Sequence, residues 1–137
     1  MLKKVFRAVG VAVVALGVFV SATHSQSSKT PAALRCLQLP RIDHTVPVGD
    51  RNILFYLKDR TIYQNQLPQA CPGLKTNRPF MYRVVMNQVC DSDLITMLDQ
   101  RPFGFVPMES CQLGSFQMID AATADALKAA DQSQGRK

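Results

Sequence analysis

Cys90 is followed closely by Asp91 and Asp93, so one thiol and two carboxylates stand almost side by side in the chain. Three chemistries could use such a cluster. A calcium ion needs six to eight oxygen ligands, and Asp91 with Asp93 supplies two side chains, without the glycine and further oxygens of an EF-hand loop. A thiolate nucleophile needs positive or dipolar neighbours, and flanking carboxylates disfavour it. The third possibility is a disulfide cysteine at a turn, where an aspartate bonds nearby backbone N–H groups. That reading asks least of the residues present, with no metal required, and it makes Asp93 a turn-shaping residue.

Other chemistry-bearing side chains are sparse. His44 is the one histidine beyond Ser25, and Glu109 is the one glutamate. A serine-type triad would need His44 with a distant serine, yet no G-x-S-x-G segment accompanies it. Asp43 adjoins His44, and on a regular strand its side chain points to the opposite face. No glycine-rich phosphate loop occurs, and no cofactor is implied. Catalysis is left with one weak grouping, a hydrolase-like site around Asp93, Arg83 and His44. Cation binding at Asp91 and Asp93 is a second alternative.

The cysteines carry a stronger signal. Cys36, Cys71, Cys90 and Cys111 are widely separated, with no close pair of the kind a structural zinc site uses. An even number in a small exported chain implies two disulfides. Cys71–Cys90 and Cys36–Cys111 is the pairing expected if consecutive β elements are braced and the N-terminal segment is tied to the last strand.

Export follows from the segment that ends at Ser25. Lys3, Lys4 and Arg7 precede an uncharged apolar run from Ala8 to Val20, then "SATHSQ". This is the layout of a signal peptide, with cleavage after Ala22 or Ser25. The run is shorter than the ~20 residues that span a bilayer, and no cysteine at its end could accept lipid. A periplasmic or secreted protein with no stable membrane anchor after cleavage is expected. Residues 26–137 carry 13 Lys and Arg against 10 acids, a mild balance of +3 without a basic stripe. Nucleic-acid binding therefore lacks its electrostatic footprint.

These residues need a scaffold, and its pattern is β. After the 1–25 leader and a flexible lead-in over 26–34, a disulfide-stapled domain spans 35–118. "RIDHTVPV" reads as an edge strand or a loop because Pro47 cannot donate to a ladder. "NILFYLK" and "TIYQNQL" flank "KDR" as a hairpin. Ile53, Phe55 and Leu57 share one face of the first strand, Leu54 and Tyr56 the other, which predicts a central strand. Pro72 and Gly73 mark a turn. "PFMYRVVMN" and "LITML" read as further strands, "RPFGFVPM" as a loop or broken edge strand, and "CQLGSFQM" as the last strand, with Gly114 at a bulge or close backbone approach. Asp120 is a plausible N-cap for an Ala-rich helix within 119–137, marginal for want of large apolar residues.

The assembled order "RC…NILFYLKDRTIYQNQL…CPGL…VCDSDLI…CQLGSF" resembles a family of small exported bacterial proteins classed as a domain of unknown function. The matching positions are Cys36, Asn65, Leu67, Cys71, Leu74, Cys90, Asp93, Cys111, Leu113, Gly114 and Phe116. Ser92 stands where the family often has glycine. The resemblance covers residues 35 to 118 and implies compartment, cysteine framework and domain extent, with no catalytic residue to carry over. The expectation is an all-β, small antiparallel barrel or sandwich with Asp93, Gly73, Gly114 and Asn65 at structural turns. The expected function is non-catalytic binding of a protein or an envelope component.

Overall fold

The computed structural model describes residues 32–76 and 78–134. The leader, its cleavage site and most of the lead-in lie outside the described residues. In chain order the elements are β1 (Cys36–Gln38), a 3-10 turn (Leu39–Arg41), β2 (Ile42–Val48), β3 (Asn52–Leu57), β4 (Ile62–Gln66), β5 (Phe80–Tyr82), β6 (Gln88–Cys90), β7 (Leu94–Arg101), β8 (Gly104–Gln112), β9 (Phe116–Ile119) and α1 (Ala121–Gln134). The strands form three antiparallel sheets, ordered β2-β3-β4-β9, β5-β7-β8 and β1-β6. The architecture is mostly β, and it is not a closed barrel.

Strand β3 is apolar on both faces because both faces are covered. Ile53, Phe55 and Leu57 join Tyr63, Leu67 and Phe116 in a core completed by Leu37, Val89, Ile95, Met97 and Leu113 from the other two sheets and the β8–β9 connection. Phe116 meets Phe55 edge-on, with ring centroids 5.2 Å apart. On the opposite face Leu54 packs with Val48 and Ile62 under Ala124 of α1. Full burial of side chains of this size contributes about 1.5–3 kcal/mol each.

Helix α1 is more firmly placed than its composition implies. Fourteen residues long, it is capped by Asp120, whose carboxylate accepts the Thr123 N–H at 2.7 Å. The small Ala124 lets the helix lie close on the sheet, where it is almost wholly buried. Packing thus replaces the large apolar side chains that the segment lacks.

Several local expectations change. "PFMYRVVMN" leaves the strand after Tyr82, and the chain reverses at Met86 and Asn87, both at positive φ (55° and 60°), as a type I′ turn requires. "CQLGSFQM" divides, its first two residues ending β8 and "FQM" opening β9. Leu34, placed in the lead-in, exchanges two backbone hydrogen bonds with Phe116.

The disulfides are Cys36–Cys90 and Cys71–Cys111, which corrects the expected pairing of Cys71 with Cys90 and Cys36 with Cys111. The reason is topological: β6 pairs with β1, so Cys90 stands directly opposite Cys36 in the ladder. Cys71 follows β4 and meets β8 instead, with a Cα separation of 5.8 Å. Among the described residues no free cysteine remains.

Candidate functional site

The residues proposed for chemistry are not brought together. His44 lies on β2 opposite Tyr56, stacked on its ring at 4.5 Å, on the side of the four-stranded sheet that faces α1. Asp93 precedes β7 on the other side of that sheet, and the backbone of Arg83 bonds Leu94 beside it. The four-stranded sheet stands between them. Asp93 accepts the Cys90 N–H through its carboxylate at 2.7 Å, while its own N–H bonds the Cys90 carbonyl at 3.0 Å. Asp91 pairs with Arg35 across the β1–β6 ladder at 3.1 Å. Both carboxylates are thus engaged by protein groups. Among the described residues no three His, Cys, Asp or Glu side chains gather as a metal-binding set.

Asp43 departs from the alternation expected of a regular strand. The register skips between Ile42 and His44, so Asp43 is an extra bulge residue. Its carboxylate then reaches His44 Nδ1 at 2.8 Å, with both side chains more than half exposed.

The other marked positions are structural. Gly73 takes a positive φ of 87° in the turn after Cys71. Asn65 is not at a turn: it lies within β4, fully buried. Its Nδ2 donates to the Gly114 carbonyl at 2.6 Å, and its Oδ1 accepts the Gly114 N–H at 2.9 Å. A Cβ on Gly114 would collide with the Gln66 carbonyl oxygen, so the loop between β8 and β9 rests directly on β4. Most of the family-like motif positions form this interior; Leu67, Cys71, Leu74, Leu113 and Phe116 are all buried.

What lacks a structural account is the β5-β7-β8 sheet. One of its faces supplies Ile95 and Met97 to the core. Side chains alternate along a strand, so Leu94, Thr96, Leu98 and Gln100 of β7 point the other way. Across the ladder Thr96 faces Met81 and Ser110, Leu98 faces Pro107, and Gln100 faces Phe105. Helix α1 covers the second face of the four-stranded sheet; on this one Thr96 is buried between Met81 and Ser110 of its own sheet. The apolar residues of this face remain at the surface: Phe105 is 57 % exposed, Met81 45 % and Leu94 40 %.

This sheet also extends into an arm. β5 pairs with β7 only from Ile95 to Met97, so the hairpin continues past it through Arg101 and Gly104. Phe103, at the tip beside Pro102, is wholly exposed. Asp99 braces the root through Arg101 at 2.7 Å and Arg78 at 3.5 Å. Beside the base of β8 lies a cavity of about 430 Å³ lined by Pro68, Ala70, Pro72, Leu94, Glu109 and Gln112, among others.

β8 is also a free sheet edge, and it is guarded. The Leu98 N–H bonds the Pro79 carbonyl on the β5 side at 2.9 Å, so the Leu98–Pro107 pair is not hydrogen-bonded and the Pro107 nitrogen faces outward. A proline there has no N–H to offer an incoming strand. The register shift opposite Met97 adds a bulge at Met108 and Glu109. The edge thus resists strand addition, while the apolar face beside it stays open.

Residues Met81, Leu98, Phe103, Phe105 and Pro107 were not singled out by sequence reasoning. The available signal was Phe103, Phe105, Val106 and Met108 within "FGFVPM", in a segment whose prolines read as loop.

No protein-family model matches the chain, and neither a curated protein nor a solved structure matches it.

Proposed function

We propose that the protein is an exported, disulfide-stapled β module that docks a protein partner through the bare face of the β5-β7-β8 sheet and its arm. The observation that carries this is an asymmetry: two sheet faces are apolar and available for cover, and only one has it. Contiguous exposed apolar surface marks interaction sites, and Phe103 and Phe105 are the kind of residue that anchors interfaces. The two disulfides are consistent with an oxidising compartment, periplasmic or extracellular. The resemblance to small exported bacterial proteins points the same way.

Affinity capture from an envelope fraction, with the oxidised full chain as bait, tests this. A stoichiometric partner should be retained by the wild-type chain and by Lys128→Ala on α1. The double variant Phe103→Asp with Phe105→Asp should lose it. Retention by the arm variant, or loss through the helix variant alone, would place the docking surface elsewhere.

A further inference from the structure

Resting on the docking reading above, we infer that the arm's partner is a second copy of this chain, bound reciprocally across a two-fold axis near Pro107. Strand β8 and the turn that precedes it carry both halves of a complementary pair. Phe103 lies four residues before Pro107, and Cys111, beside the 430 Å³ cavity, lies four residues after it. In the ladder Cys111, opposite Ile95, and Gly104, opposite Arg101, each stand three positions from the Leu98–Pro107 pair, about 10 Å at ~3.3 Å per residue, with Phe103 just beyond Gly104. Two copies set antiparallel about that point place each Phe103 against the other copy's cavity. Contacts of this kind are made twice and close on themselves, as a two-fold dimer requires.

The chemistry of the two parts matches. The cavity has apolar walls in Pro68, Ala70, Pro72 and Leu94, fit to receive an aromatic ring, and Glu109 is its one charged lining residue. At the arm's root Arg78 and Arg101 are set against a single Asp99, leaving one positive charge in excess. A cationic arm thus approaches an anionic cavity. Residues 26–137 carry a balance of only +3, so net self-repulsion between copies is weak.

Pro107 determines how the copies meet. At the two-fold centre each copy presents a carbonyl and no N–H, so the β8 edges cannot form a continuous ladder. Contact is made by side chains of the bare faces, which limits assembly to a closed pair instead of an open sheet. The pair is expected to be a reversible one, with a dissociation constant on the order of micromolar.

Sedimentation equilibrium of the oxidised full chain over about 1 to 500 µM reads the dimer directly. Wild type should pass from monomer to dimer. Phe103→Asp, which removes the arm, and Ala70→Arg, which fills the cavity, should each raise the dissociation constant at least tenfold. Mixed together, these two variants should form a heterodimer, because one intact arm then meets one intact cavity. Circular dichroism of both variants should match wild type, since Phe103 and Ala70 are exposed. A wild-type chain that is monomeric throughout, or a dimer indifferent to both variants, overturns the inference. If the monomer instead binds a different protein, or sediments with vesicles, in a Phe103-dependent way, the self-partner fails while the arm survives as a docking element.

Discussion

Asn65→Ala should be among the most damaging single changes in the domain. Asn65 is fully buried and makes both hydrogen bonds of the Gly114 peptide groups, at 2.6 and 2.9 Å. Removing it forfeits two hydrogen bonds at about 1 kcal/mol each. It also strands the Gly114 N–H and C=O against the Gln66 backbone, where each unpaired group costs about 1–3 kcal/mol. Partial rescue by water or by a shift of the loop brings the expected total to about 3–5 kcal/mol. For a domain of this size that lowers Tm by roughly 15–30 °C. Gln64→Ala is the control: it lies on the opposite face of β4 and loses one half-buried bond to Asn52, for about 1 kcal/mol. Urea denaturation of the oxidised chains, followed by circular dichroism, compares them at constant m. If Asn65→Ala costs no more than Gln64→Ala, the Asn65–Gly114 clamp does not hold the β8–β9 loop.

Digestion under non-reducing conditions with trypsin and Asp-N, which separates Cys90 from Cys111 at Asp91, Asp93 and Asp99, should yield Cys36–Cys90 and Cys71–Cys111 peptides only; a Cys71–Cys90 peptide would contradict the β1–β6 pairing. Replacing both Cys71 and Cys111 by serine opens a closure of 40 residues, which on the loop-entropy relation should cost about 4 kcal/mol by urea titration. Asp59 is held at about 2 by hydrogen bonds from Thr61 and then Arg41, and Asp120 is lowered by its bonds to Thr123. Depressed folded values contribute stability that is present above the ordinary carboxylate value of 3.8 and lost as pH falls through the folded ones. The urea midpoint should therefore drop between about pH 4 and 2, and less steeply in Asp59→Asn; an unchanged slope would remove Asp59 from the account. Pro107→Val supplies the missing edge N–H and should turn a limited association into thioflavin-positive aggregation; a variant that stays as soluble as wild type would show that proline is not the guard.

The parts of the fold governed by local pattern were legible in the sequence. Apolar residues at both parities of β3 announced a strand covered on two sides, "KDR" announced the hairpin to β4, and Pro47 narrowed its segment to an edge strand or a loop. Asp120 announced the helix, though not its grip on the sheet, which depends on Ala124 being small enough to approach Leu54. Long-range pairing was not legible. Which cysteine faces which depends on β6 returning to β1, a choice no local residue encodes. The bulge at Asp43 was hidden for the same reason, because a register skip exists only relative to a partner strand. The arm was obscured by its own chemistry: Pro102 and Gly104 suit a tight hairpin end, and Pro107 is tolerated because its nitrogen faces an open edge. Read singly, they signal a loop.

The open face of the β5-β7-β8 sheet is tested most directly by photo-crosslinking in cells that express the chain. A photoreactive phenylalanine analogue is placed in turn at Phe105, at Phe103 and at Gln132 on α1. Docking through the arm predicts a discrete adduct from positions 103 and 105 and none from 132, with the mass of two chains if the partner is a second copy. Adducts from position 132 with none from the arm would contradict it.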